Sequence, residues 1–311
     1  MPTTVPAARL HEHGAPLVIE EVELPDPGPD EVLVELQFGG VNPVDRYGAE
    51  GRVAPDGPLP RILGGEASGT IEGRRVLVAG GGLGARRDGV WARVAVVPAE
   101  LVYELPDGVE LRDAAAMGVA GLTAYNVVRD LARVGPDDRV LVLGASGGVG
   151  TMIVSLAKAA GATVWGQTGS ADKVSLIEGL GADRVIVGGA EGLDELEPTA
   201  VFDPLGDGFL APVVEAAAVR ARIVSFGTSA GAEVQFNVQT LYRKAMSLLG
   251  YGGMTVGQEE RRRGLEAALN ALAAGELRVV IGEVLPISEV NEAFQRLLDR
   301  RIRGKLLLAL E

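Results

Sequence analysis

A chain of 311 residues is longer than one hydrophobic core usually serves, and 47% hydrophobic content with 44 glycines and 17 prolines suits an α/β protein of two domains with many tight turns. The absence of cysteine excludes disulfides, thiol nucleophiles and sulfur-ligated zinc or iron–sulfur centres together. A net charge of −13 opposes nucleic acid or an anionic membrane as partner, because both need a positive footprint.

Residues 1 to about 105 read as mostly β. Strands are expected in 17-LVIEEVEL-24, 31-EVLVELQFGGV-41, 74-RRVLVAG-80, 90-VWARVAVVP-98 and 101-LVYELP-106, with turns at 25-PDPGPD-30 and 42-NPVD-45. Short strands between Gly/Pro turns suggest a small barrel or sandwich. The histidines, His11 and His13, are two apart on a polar segment, which suits an exposed hairpin better than a pair on one strand face. The opening MPTTVPAARLHEHG lacks a basic-then-apolar signal and no apolar run approaches a membrane span, so a cytoplasmic location is expected.

The pattern changes after residue 110. Residues 111–134 carry helical spacing broken near Gly118 and Gly121. Strands at 139–144, 162–167, 183–188, 200–205 and 221–227 then alternate with helices at 148–161, 171–181 and 208–219, as in βαβ units of a parallel sheet. A strand near 246-MSLLGY-251 and a helix at 259–275 close this region. The basic runs 259-EERRRG-264 and 299-DRRIRGK-305 suit a solvated helix face or helix end. The tail 276–311 reads strand, helix, strand, and its β character suggests a return to the first domain.

In 139-RVLVLGASGGVGTM-152 an apolar strand runs into a glycine-rich turn and a helix. That is the setting of a dinucleotide fingerprint: a tight turn, close backbone approach to a pyrophosphate, and phosphate at a helix N-terminus. Ala145, Ser146, Gly147, Gly148, Val149 and Gly150 would line it, although G-x-x-G-G-x-G is one residue wider at the front than the usual spacing. NAD-binding versions place a carboxylate at the end of the next strand. Here 166-GQTGS-170 occupies that place and Lys173 follows, so Thr168, Ser170 and Lys173 read as a seat for the 2′-phosphate of NADP(H). Ser170 would also serve as a helix cap, and the two roles are compatible.

The chain resembles the zinc-independent quinone oxidoreductase (zeta-crystallin-like) branch of the medium-chain dehydrogenase/reductase superfamily. The likeness rests on 40-GVNPVDRY-47, 63-LGGEASGTI-71, 104-ELPDGVELRDAAAMGVAGLTAY-125, 144-GASGGVG-150, 181-GADRVI-186, 202-FDPLG-206 and 300-RRIRGKLLL-308. It implies a GroES-like β domain formed by both chain ends, 1–121 and 276–311, with a Rossmann doubly wound parallel-sheet domain, 122–275, inserted. It also implies a homodimer or homotetramer joined through the strand near 246–251.

Where zinc-dependent relatives carry a cysteine and a histidine ligand, this chain has Asn42 and Gly65, so no metal is expected. From the resemblance, Asn42 is expected either to orient a substrate carbonyl or to be the turn residue before Pro43, Tyr47 to be a proton donor or wall, and Thr123 either to bond near the nicotinamide or to cap or pack its helix. Asp45 is expected to bond within its own turn and Trp91 to pack. Phe226, Gly227 and Tyr251 would flank the cofactor, and Arg300 would join Lys173 at the 2′-phosphate. Relatives place a longer segment between 69-GTIEG-73 and the next strand, so a hairpin is missing here. The activity implied is hydride transfer from NADPH to a small quinone or electron-poor enone. Two alternatives are an enoyl-thioester reductase, disfavoured by Val53 where such enzymes carry tyrosine, and a cofactor-binding protein with little turnover.

Overall fold

The computed structural model describes residues 3–193, 195–299 and 302–311. Two compact units emerge: one takes the chain up to Leu122 with Gln258–Ala273 and Val279–Glu311, the other takes Thr123–Gly257 and Ala274–Arg278. A GroES-like β fold built from both ends of the chain therefore encloses, in sequence, a Rossmann fold.

The first unit begins with β1 (Thr3–Leu10), β2 (Val18–Leu24), β3 (Glu31–Val41), β4 (Arg61–Ile62), β5 (Glu66–Ile71), β6 (Arg74–Ala79), β7 (Val94–Pro98) and β8 (Val102–Glu104). The second contains β9 (Arg139–Val142), β10 (Thr163–Thr168), β11 (Arg184–Val187), β12 (Ala200–Asp203), β13 (Arg222–Ser225) and β14 (Ser247–Gly250). The chain then returns to the first with β15 (Ile281–Pro286) and β16 (Lys305–Ala309).

β3 organises the first unit. One of its edges is divided between β7, opposite Glu31–Glu35, and β16, opposite Phe38–Val41, while β5 takes the other edge. The first half of β3 alternates exposed and buried residues, because only one face meets the core. From Gly39 to Val41 every residue is buried. Trp91, fully buried, packs near Phe294 with ring centroids 5.8 Å apart, so the anticipated packing role is the observed one. A smaller sheet has the order β2-β1-β4. β1 was not expected: Pro6 and the alanines beside it break the alternation by which a strand is read. His11 and His13 fall in the turn between β1 and β2, and His11 pairs with Glu20 at 2.9 Å.

The second unit is one parallel sheet of order β11-β10-β9-β12-β13-β14, which in chain order is 3-2-1-4-5-6. The direction of winding reverses between β9 and β12, and ligands of such sheets bind beyond the C-terminal ends of the strands at that point. β14 forms an open edge with mostly exposed residues. A short helix, Val238–Arg243, also escaped the sequence reading.

Helix Gln258–Ala273 groups with the first unit rather than with the Rossmann fold where it was expected. The Arg262 guanidinium ties it there, donating to the Glu100 carbonyl and lying 4.7 Å above the Tyr103 ring. The residues from Leu111 to Leu131 form helix, π-helix at Met117–Gly121, helix, and a second π-helix at Asn126–Leu131, so the expected interruption near Gly118 and Gly121 is a widening and not a break. No helix among the described residues is long and apolar enough to cross a membrane.

β5 and β6 are joined by Glu72 and Gly73 alone, with φ of +50° and +80°. A two-residue turn with both angles positive strains glutamate, whereas asparagine tolerates it. Glu72→Asn is expected to raise stability by about 0.5–1 kcal/mol in urea unfolding. A loss of stability would show that the glutamate side chain does something here beyond tolerating the turn.

Candidate active site

In the second unit the glycine turn begins directly at the end of β9. Leu143 N–H still pairs with the Phe202 carbonyl at 3.0 Å, and Gly144 then turns away with φ of +60°. Gln167, buried at the end of β10, clasps the turn from the side. Its Oε1 accepts from Gly144 N–H at 3.1 Å, its carbonyl accepts from Ala145 N–H at 2.8 Å, and its amide nitrogen donates to the Gly188 carbonyl. Helix Gly148–Ala159 starts after Gly147, which brings no side chain to its N-terminus. A Cβ on Gly150 would lie 2.3 Å from the Gly144 carbonyl oxygen, so the turn can fold this tightly onto the helix only with glycine there.

The residues expected around this turn divide by what they touch. Ala145 and Ser146 are buried, and the Ser146 hydroxyl meets that of Thr168 at 3.2 Å. Gly147, Gly148 and Val149 are half-buried. Ser170 precedes the 3₁₀ turn Ala171–Lys173, and its hydroxyl donates to the Asp172 carboxylate. Asp172 is a residue that the sequence reading passed over, and it brings a negative charge to the supposed phosphate seat. Lys173 is half-buried at the end of the same turn. Phe226 follows β13 with its N–H on the Asp203 carbonyl at 3.0 Å, and Gly227 packs against Pro204. Tyr251 follows β14, and its hydroxyl accepts from Asn126 Nδ2 at 3.3 Å. Thr123 is half-buried in helix Leu122–Tyr125. Arg300 lies outside the described residues.

These features suit a nicotinamide dinucleotide. Among the described residues of this unit, the buried Asn126 Oδ1 and Asp203 Oδ2 have no hydrogen-bond partner, and burial raises the Asp203 pKa above the usual carboxylate range. Orphaned buried acceptors are rare in folded proteins and call for a donor from outside the chain or from water.

In the first unit a buried polar cluster surrounds Asn42. Lys305 Nζ, on β16, donates to Asn42 Oδ1 at 2.6 Å, to Glu66 Oε1 at 3.2 Å and to the Val41 carbonyl at 3.2 Å. Asn42 Nδ2 donates to Glu66 Oε1 at 2.7 Å, and Val119 N–H donates to Glu66 Oε2 at 2.9 Å. Both ends of the amide are thus assigned, and its second N–H has no partner among the described residues. Glu66 is fully buried and fits only because two neighbours lack side chains. A Cβ on Gly40 would come within 2.3 Å of Glu66 Oε1, and one on Gly118 within 2.8 Å of Oε2.

Asp45, on helix Pro43–Ala49, accepts from Asn42 N–H at 2.8 Å and Gly65 N–H at 3.1 Å, which is the turn bond expected of it and one more. Burial, followed by the nearby Glu66 carboxylate, pushes its carboxyl up to about 7 against the pull of those amides and of Lys305. Tyr47, half-buried on the same helix, has the Arg52 guanidinium 4.3 Å from its ring centroid and that of Arg46 at 5.0 Å.

This donor set does not suit zinc. The Asn42 oxygen is occupied by an ammonium, Gly65 offers no ligand, and the Asp45 oxygens serve backbone N–H groups. Among the described residues no group of three or more His, Asp or Glu side chains is placed to hold a metal ion.

The family model described as Alcohol dehydrogenase GroES-like domain matches residues 28–107, and that described as Zinc-binding dehydrogenase matches residues 148–270. Quinone oxidoreductase 1 of Escherichia coli (strain K12) is 30% identical over 328 residues, covering 96% of this chain and 98% of its own. A solved NAD-dependent alcohol dehydrogenase superposes with a TM-score of 0.89 at 28% identity, over 98% of this chain and 100% of that one. Mycobacterial Rv1454c complexed with NADPH does so with a TM-score of 0.86 at 26% identity, over 99% and 100%. The chain belongs to the medium-chain dehydrogenase/reductase superfamily, among the quinone oxidoreductases, and is an oxidoreductase that works with a nicotinamide cofactor.

The Asp45 environment has a consequence for stability. A carboxyl that is easier to protonate when folded destabilises the fold once ionised, so stability falls as pH rises from the ordinary carboxylate range to about 7. The fall attributable to one proton is at most about 1.4 kcal/mol per pH unit. Urea unfolding at stepped pH is expected to show it, with a flatter profile in Asp45→Asn. Identical slopes in both proteins would mean that Asp45 is not the group responsible.

Proposed function

We propose that the protein is an NADPH-dependent reductase of small quinones or electron-poor enones that works without zinc. The observation that carries this reading is the Asn42 amide, fixed by Lys305 and Glu66 with one N–H still to give. An amide so held serves as a preorganised donor to a carbonyl oxygen on which negative charge develops. The names of the related quinone oxidoreductases and the NADPH complex of Rv1454c support the same assignment.

When bound, the reduced nicotinamide supplies hydride. The backbone of Ala145, Ser146, Gly147, Gly148, Val149 and Gly150 takes the pyrophosphate, as helix N-termini after glycine turns do. Ser170 and Lys173 take the 2′-phosphate, and Thr168 supports the turn through Ser146. Phe226, Gly227, Tyr251 and Thr123 bound the nicotinamide. On the acceptor side Asn42 orients the carbonyl, and Tyr47 forms a wall stiffened by Arg46 and Arg52. The open edge of β14, which carries exposed Leu248, suits pairing with a second copy, giving a homodimer or homotetramer. A cytoplasmic location belongs to this reading.

One observation favours a second reading in which NADH is used. The Asp172 carboxylate, bound to the Ser170 hydroxyl, would repel a 2′-phosphate. The two are separated by titrating the protein with NADPH and NADH, then following consumption of each with 1,4-benzoquinone and a simple enone. NADPH is expected to bind more tightly, and Lys173→Glu to weaken NADPH at least tenfold more than NADH. Equal losses for both cofactors would remove Lys173 from the 2′-phosphate and favour the second reading. Asn42→Ala is expected to lower kcat about 100-fold with cofactor affinity unchanged. An unaltered kcat would take Asn42 out of the chemistry.

A further inference from the structure

Reduction of an enone or quinone by hydride leaves an anion, and a proton must follow. We propose that Asp45 is the proton donor of this reaction, delivering through the gap left by the missing side chain of Gly65. The inference rests on the reading of Asn42 as the residue that holds the acceptor oxygen.

Three observations place Asp45 in that role. Its carboxyl is tied to Asn42 by one hydrogen bond, since Oδ2 accepts the Asn42 backbone N–H at 2.8 Å, so acid and amide are fixed as one turn. Its other oxygen, Oδ1, accepts the Gly65 N–H at 3.1 Å and has room on its remaining side, since a Cβ built on Gly65 would stand 3.5 Å from Asp45 Oδ1 and 3.7 Å from the Leu83 carbonyl oxygen, both ordinary contacts. Gly65 is not held in the left-handed region, so its lack of a side chain answers no backbone need. A carboxyl and a carbonyl oxygen facing a gap of atomic size make a seat for a hydroxyl group or a water, with one group able to donate and one to accept.

The charged groups facing Asp45 are Glu66 from β5 and Lys305 from β16. Lys305 is already shared between Asn42 and Glu66, and the loop bearing Leu83 presents a carbonyl. A carboxyl in this setting keeps its proton to near neutrality, which an exposed aspartate does not. The atoms balance simply. Hydride from the reduced nicotinamide adds to the acceptor and forms an enolate or a hydroquinone monoanion. The O–H bond of protonated Asp45 breaks, its proton bonds to that anion directly or through one water in the gap, and the Asp45 carboxylate recovers a proton from solvent.

The test uses the full-length protein with NADPH and an enone, whose enolate must be protonated before release. The pH profile of kcat should fall above about 7 in the unaltered enzyme. Asp45→Asn should lose that limb and about 100-fold in kcat. Because Asp45 also accepts two backbone N–H groups, that variant is paired with Gly65→Ala, which fills the gap and leaves the acid in place. Gly65→Ala should melt at the temperature of the parent, bind NADPH as before, and lose at least tenfold in kcat with a larger solvent isotope effect. A normal rate in Gly65→Ala, or a retained pH limb in Asp45→Asn, overturns the assignment while leaving the reductase standing. Absence of turnover by the parent with every quinone and enone tried would overturn the reductase, and this inference with it.

Discussion

The ion pair between Glu66 and Lys305 is the constraint around which the first unit is arranged. Both groups are almost completely withdrawn from water, where neither is tolerated alone. Both are therefore held by hydrogen bonds: Lys305 gives its three N–H groups to an amide oxygen, a carboxylate and a carbonyl, and Glu66 accepts from the ammonium, an amide and the Val119 N–H. Room for the carboxylate comes from Gly40 and Gly118, which belong to different segments of the sequence. The pair joins β16 to β5 across β3 and, in doing so, fixes which end of the Asn42 amide points where. Removing one partner would leave a buried charge, at a cost of about 3–5 kcal/mol. The conformation of the Asn42 amide and the integrity of the unit thus share one set of bonds.

The second unit solves a different problem, that of holding a tight turn open toward a ligand. The Gly144 and Ala145 amides would be unsatisfied at the end of β9, and Gln167 takes both while reaching on to Gly188. Three neighbouring strand ends are thereby locked by one side chain. The turn that remains presents backbone and small side chains outward. Rigidity behind the turn and bare backbone in front of it suit a ligand whose recognition is mostly by phosphate.

The sequence made some of this plain and hid the rest, for reasons of distance. The glycine turn, the alternation of strand and helix and the return of the chain's end to the first unit are written in local spacing, and the structure follows them. The glutamate of 63-LGGEASG-69 and the lysine of 300-RRIRGKLLL-308 look like ordinary turn and strand-end charges, because nothing local marks residues that meet across 239 positions. Thr168 reads as part of a phosphate seat from its position, yet it is buried against Ser146, and its neighbour Gln167 is buried on the turn. Asp172 was overlooked because it falls beyond the strand end where a ribose-binding acid is sought. β1 was missed through Pro6, and the π-helical segments cannot be told from an α-helix by the period of their apolar residues.

The division of one edge of β3 between β7 and β16 also governs the order of assembly. Glu31–Glu35 find β7 within some sixty residues, but Phe38–Val41 wait for a strand that emerges only at Lys305–Ala309. At the usual pace of synthesis that interval is on the order of ten seconds or more. For its whole duration the nascent first unit carries a bare strand edge and a glutamate without its lysine. Thr123–Gly257, a continuous stretch made in the meantime, has every strand of its sheet in hand. The Rossmann fold can thus close around its glycine turn while the older half of the protein is still incomplete, leaving the edge of β3 as the place where a chaperone would be needed or a misfolded pairing would begin.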